Sequence, residues 1–250
     1  MKKTFVITIL LAVLFFSGIA LVQAKPDKQN PASDIERGAF VHYPHAKGQA
    51  KGAGATGDQV NDFKYSGIHW GDANPEVPYW INPADTTLNT DDVISAVQSA
   101  FDEWMKWETA ADDNNEISFV YKETTDKETT ANPSRDSLNT VSFEPLSSVY
   151  PNAIAVTFYW YYRGSKELVE TDTVFNSDFQ WAVNADSDIA DSGKYDLQNI
   201  ATHEFGHWLL LGDLYSPRDW ALTMYGYGYL GETIKSTLGK GDISGINKIY

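Results

Sequence analysis

The stretch HEFGHWLLLGD (203–213) places two histidines four residues apart, with a glutamate directly after the first. On a helix, positions i and i+4 share one face with Cβ atoms roughly 5–6 Å apart, so His203 and His207 can grip one metal ion together. A catalytic zinc takes three protein ligands and keeps a further position for water, whose pKa falls to about 7 on binding. Glu204 leans over the same helix face, where its carboxylate can take the proton from that water as general base. The alternative is three polar residues packed without a metal. With only five histidines in the chain, chance placement of this pattern on one helix is rare, and the motif points to zinc-assisted hydrolysis without specifying a substrate.

These residues need a rigid helix and a frame to hold it. The spacing predicts a helix over 197–211, capped by Asp196. An earlier helix is expected over 89–107, where Asn89 or Thr90 can cap, Asp91 and Asp92 suit the positive N-terminus, and Val93, Val97, Ala100, Phe101 and Trp104 recur at helical spacing. Val77, Tyr79 and Ile81 alternate as in a strand that Pro83 ends. Four further runs, 117–123, 139–146, 153–164 and 167–176, are rich in β-branched and aromatic residues. A short last helix, 241–250, carries Ile243, Ile246 and Ile249 on one side. Strand, helix, strands and helix together predict an α/β (α+β) layer arrangement.

At this point the chain resembles the metzincins, and among them the matrixins, secreted zinc endopeptidases. HEFGHWLLLGD is similar to the signature H-E-x-x-H-x-x-G-x-x-H/D. TDTVFNSDFQW (171–181) resembles the strand before the active-site helix, DLQNIATHEFGH the start of that helix, TMYGYG (223–228) the Met-turn, and TLGKGDISGINKIY (237–250) the terminal helix. With PYWINP, these segments span most of 66–250 in the family order. The resemblance implies a twisted mixed five-stranded sheet with the active-site helix, Met-turn and C-terminal helix. It also implies an edge strand at 153–162 open to an extended peptide, and Met224 as a hydrophobic floor beneath the metal; ordinary core packing fits Met224 equally. Tyr225 and Tyr227 either line the cleft or make core contacts.

Two positions depart from the family pattern. The signature glycine is replaced by Leu210, with the nearest glycine at Gly212, so the bend after the helix is expected to shift by two residues. The closing ligand is Asp213 in place of histidine, and a carboxylate oxygen is an acceptable zinc ligand; Asp219 and Tyr215 are the neighbouring alternatives. The expected site is therefore His203, His207 and Asp213 on one catalytic zinc, with Glu204 as base. There is no cysteine, which excludes latency through a pro-segment thiolate. The acidic loop 184–196 offers Asp186, Asp188 and Asp191 either to calcium or, as such clusters more often do, to solvent.

The remaining composition sets the context. At 42% hydrophobic over 250 residues, the chain can bury one substantial core. Its net charge of −15 argues against nucleic acid as a partner. Lys2 and Lys3 precede an apolar run from Phe5 to Val22 that closes on Val-Gln-Ala, the layout of a secretory signal over 1–24, or of a membrane anchor if uncleaved. Residues 25–65, polar with a Gly/Ala/Lys tract, are expected to be a pro-segment or flexible linker. Within that stretch His42 and His45 are read as solvated, with metal contact the lesser alternative. The folded catalytic domain is expected over 66–250, acting as a secreted monomer on polypeptides. The rival reading is an inactive protein of the same fold that binds a partner or sits at the cell surface.

Overall fold

The computed structural model describes residues 34–45, 56–71, 74–106, 117–127, 130–183 and 193–250. The expected signal segment and the loop carrying Asp186, Asp188 and Asp191 lie outside the described residues. The strands are β1 (Ile35–Pro44), β2 (His69–Trp70), β3 (Glu76–Ile81), β4 (Ser118–Thr124), β5 (Thr140–Glu144), β6 (Ala155–Tyr162), β7 (Glu167–Asn176), β8 (Trp181–Ala182), β9 (Tyr195–Asp196) and β10 (Tyr227–Gly228). The helices are α1 (Thr90–Met105), α2 (Leu197–Trp208) and α3 (Lys240–Ile249).

The main sheet runs in the order β10-β1-β6-β7-β5-β3-β4, with β2 paired to β7. The five strands from β6 to the β4 edge form the expected mixed five-stranded sheet: β4, β3, β5 and β7 pair in parallel, and β6 pairs antiparallel to β7. Alternation along each strand assigns its two faces. On β6, Val156, Phe158 and Trp160 join a small cluster with Leu146, Ala153 and Val174, whereas Ala155 and Tyr159 pack with the larger core beneath the helices.

That larger core is built on α1 and α2. Asn89 caps α1 by accepting from the Asp91 N–H at 2.8 Å, and Val93, Val97, Ala100, Phe101 and Trp104 are fully buried. The Phe101 and Phe205 rings stack at 3.7 Å, and the Trp104 indole N–H donates to the Thr202 carbonyl at 2.7 Å. These contacts fix the rotation of α2, which is buried on nearly all sides. Asp196 caps α2 through the Asn199 N–H at 2.8 Å, as expected.

Two expectations change. Residues 35–44 do not form a free linker: β1 pairs antiparallel with β6 over eight positions, from Ile35 opposite Tyr162 to His42 opposite Ala155. The stretch has little apolar periodicity of its own and takes its order from the backbone edge of β6, an interaction that is nearly blind to side-chain pattern. In consequence β6 is not the sheet edge, since β1 lies along it. The second change is at α2, which ends at Trp208 and not near Leu211.

Candidate metal centre and active site

His203 and His207 face the same side of α2, both fully buried. His203 Nδ1 donates to the Thr223 carbonyl and His207 Nδ1 to the Leu211 carbonyl, each at 2.7 Å. A carbonyl only accepts, so each ring carries its proton on Nδ1 and presents the Nε2 lone pair. Burial pushes His203 down to about 4, which keeps it neutral, the form a metal requires. Burial works against the charge of His207 too, but the Asp213 carboxylate beside it prevails and raises its pKa.

Asp213 reaches this pair because the chain turns sharply after α2. The Leu210 N–H donates to the His207 carbonyl at 3.0 Å and the Leu211 N–H to the Gly206 carbonyl at 3.1 Å, the two bonds of a Schellman stop. The position that this stop needs left-handed is Leu210 itself, at φ 56. The bend therefore stays where the family places it, and it is not shifted to Gly212. The turn brings Asp213 Oδ1 to 3.2 Å from His203 Nε2 and 3.5 Å from His207 Nε2. Burial opposes ionisation of Asp213, yet His207 and His203 hold its carboxyl well below the usual carboxylate range.

His203 Nε2, His207 Nε2 and Asp213 Oδ1 are all buried without a hydrogen-bond partner. Each such atom costs about 1–3 kcal/mol unless something satisfies it. Three converging lone pairs, two of nitrogen and one of carboxylate oxygen, are the donor set that zinc takes. Among the described residues, this triad and the overlapping trio His42, His203 and Glu204 are the groups that could hold a cation. The sequence alternatives play other parts. Tyr215 donates its hydroxyl to Asp213 Oδ2 at 3.2 Å, and Asp219 lies beside Arg218, 3.5 Å from its Nε.

Met224 is buried in the main core and packs against α2 at Gly206. A Cβ placed on Gly206 would lie 2.2 Å from Met224 Sδ and 2.7 Å from Trp104 Cζ2, so only glycine lets the Met-turn seat against α2 between the two histidines. A residue that sequence reasoning missed anchors this turn. Asp242, fully buried on α3, accepts from the Thr223 and Met224 N–H groups at 2.8 and 3.0 Å and from Gly239 N–H at 2.9 Å. An acidic residue in the first turn of the predicted terminal helix was the available signal.

Glu204 projects from α2 toward β6. A chain of donors runs to it: the Trp208 indole N–H to Thr173 Oγ1 at 2.9 Å, Thr173 to Thr157 at 2.8 Å, and the Thr157 hydroxyl to Glu204 Oε2 at 2.6 Å. Thr157 and Thr173 are directly opposite each other on β6 and β7. Burial raises Glu204 to about 7, against the pull of His207, a value suited to a base working near neutrality. Its other oxygen, Oε1, faces His42 Nδ1 at 3.1 Å. His42 is thus buried within the site, not solvated: its ring lies 4.0 Å from that of His203. His45 is packed on Tyr229 at 4.4 Å, and Tyr227 sits on β10 beside β1.

With this geometry established, the matrixin model of the peptidase M10 class matches residues 69–250. The chain belongs to the matrixin family. It shares the mixed sheet and the helix arrangement of that family, whose members are zinc-dependent metallopeptidases. No curated protein sequence matches the chain significantly. The match begins at His69 and leaves β1 outside it, so the strand that covers this matrixin's site is a feature of the chain beyond the family model.

Proposed function

We propose that the chain is an exported, zinc-dependent endopeptidase in which His203, His207 and Asp213 hold the metal and Glu204 is the general base. The observation that carries this reading is the convergence of three partnerless buried donor atoms next to a buried carboxylate. Zinc held by these three residues would supply a Lewis acid for the scissile carbonyl and would lower the pKa of water to about 7.

The protein's own groups do the rest. Glu204 takes the proton of the attacking water and passes it to the departing amine. The Thr157 hydroxyl holds Oε2 in place, which directs Oε1 to the reacting side. The Thr223 and Leu211 carbonyls fix both imidazoles in the tautomer that ligation needs. Peptide substrate would pair through its backbone with β6, and so tolerate varied sequence, once β1 leaves that strand. The charged, apolar and small-residue order of 1–24 supports export, and mass spectrometry of the N-terminus of the exported protein tests it.

Glu204→Ala in the full chain tests the mechanism. Zinc content is expected to stay at the parent's value while hydrolysis of an unstructured protein such as casein falls by about 10²–10⁴. A variant that cleaves at the parent rate removes Glu204 from the mechanism.

A further inference from the structure

The strand that covers β6 occupies the place where a peptide would bind. Beyond its pairing with β6, β1 runs parallel to β10, with Tyr43 opposite Tyr227 and Pro44 opposite Gly228. The Ile154 N–H donates to the His42 carbonyl at 2.7 Å, and the His45 N–H to the Gly228 carbonyl at 2.9 Å. Residues 42–45 are therefore bonded from both walls of the cleft, by β6 and by the segment that follows the Met-turn. Residues directly opposite in a ladder share a face, so Phe40 and His42, opposite Thr157 and Ala155, point down at α2. The Phe40 ring stacks on His207 at 4.0 Å, 3° from parallel.

His42 enters a buried pocket that reads both of its nitrogens. Nδ1 lies 3.1 Å from Glu204 Oε1, and Nε2 lies 3.4 Å from Lys235 Nζ. A carboxylate only accepts and an ammonium only donates, so the pair selects an imidazole that is a donor at Nδ1 and an acceptor at Nε2. Lys235 is fully buried and its ammonium also donates to the Tyr227 carbonyl at 2.6 Å. A buried cation needs further acceptors, and Glu232 at 3.8 Å and His42 are those within reach. The wall beside the imidazole is Gly228, where a Cβ would lie 3.3 Å from His42 Nε2 and 2.8 Å from Ile154 Cδ1.

We propose that β1 is an internal inhibitor lying in the substrate cleft, and that His42 is its latch, held between Glu204 and Lys235. The inference rests on the peptidase reading for its consequence, because β1 blocks both the peptide path along β6 and the oxygen of Glu204 that would meet water. It needs no cysteine: the strand sequesters the base and covers the histidines. Lys235 is then the residue of the cleft that selects the side chain entering beside Glu204, and it favours one ending in a hydrogen-bond acceptor.

The test uses full-length zinc-loaded chains. Phe40→Ala/His42→Ala is expected to hydrolyse a fluorogenic peptide at least about ten-fold faster than the parent, from loss of a charge-assisted hydrogen bond and a ring contact. A fluorescein-labelled peptide of parent sequence 34–45, followed by anisotropy, should bind this open variant and not the parent. The same peptide with alanine at the His42 position should bind about ten-fold more weakly, and adding Lys235→Met to the open variant should shrink that difference without removing it, because the Glu204 contact remains. A parent as fast as the open variant, or a labelled peptide that binds both chains alike, overturns the proposal while leaving the peptidase reading intact. If neither chain hydrolyses peptide but labelled peptide still separates them with His42 dependence, the latch stands and the peptidase reading fails.

Discussion

Leu210 sits in a conformation that glycine ordinarily occupies, and its replacement separates two opposed energies. At φ 56 a side chain costs roughly 1–2 kcal/mol relative to the right-handed form. The same residue is fully buried in the main core, where truncating leucine to alanine removes about 2–5 kcal/mol. Burial exceeds strain, which explains how leucine is tolerated where the family signature has glycine. Leu210→Ala loses the packing and keeps the strain, so it should lower stability by about 2–5 kcal/mol. Leu210→Gly loses slightly more packing but escapes the strain. At an ordinary helical site glycine is about 0.5–1 kcal/mol worse than alanine; here the order should reverse, with Leu210→Gly about 1 kcal/mol more stable than Leu210→Ala and both below the parent. Urea unfolding of the full chain measures this, with chelator present so that metal binding adds nothing to the midpoints. A glycine variant less stable than the alanine variant would refute the left-handed stop and return the bend to Gly212.

Asp213→Ala should weaken zinc binding by more than about a hundred-fold, the upper range for losing an outer-shell partner, whereas Tyr215→Phe, which removes the hydroxyl on Asp213 Oδ2, should cost about ten-fold and Asp219→Ala nothing; chelator competition measures all three, and zinc retained by Asp213→Ala but lost by Asp219→Ala would move the third ligand. Thr157→Val strips the donor from Glu204 Oε2 and should lower turnover about ten-fold at unchanged zinc content; an unaltered rate would show that the threonine relay does not position the base. Asp172, buried on β7, is pushed up to about 7 by burial, against the Thr140 N–H that bonds it. Its native pKa lies above the ordinary aspartate value of 3.8, so the folded state holds this proton more tightly and the contribution to stability declines as pH rises from about 4 to about 7, by at most roughly 4 kcal/mol. Asp172→Asn should flatten that part of the profile in urea midpoints taken at acid and neutral pH, and parallel profiles for parent and variant would exclude Asp172 as the source.

The metal-site motif was legible because it is local. Histidines four apart share a helix face by the geometry of one element, and a carboxylate beside them follows from covalent spacing, so His203, Glu204 and His207 could be named before any tertiary contact was known. The Asn89 and Asp196 caps, the apolar stripe of α1 and the alternation along β3 are local in the same sense. Asp213 required one more step, a turn whose place the sequence left open because leucine stands where glycine was expected; only packing shows that burial of Leu210 outweighs its strain. The partners that orient and cover the site lie far apart in the chain: Thr157 is 47 residues from Glu204, His42 is 162 from it, and Lys235 is 193 from His42. None has a periodicity or spacing that marks it, since a threonine on a strand or a lysine after a Met-turn is ordinary in sequence. β1 was hidden for a related reason. Its order comes from backbone bonds to β6, and backbone bonds leave little trace in side-chain pattern, so a stretch that reads as linker becomes a strand only when the sheet supplies an unpaired edge.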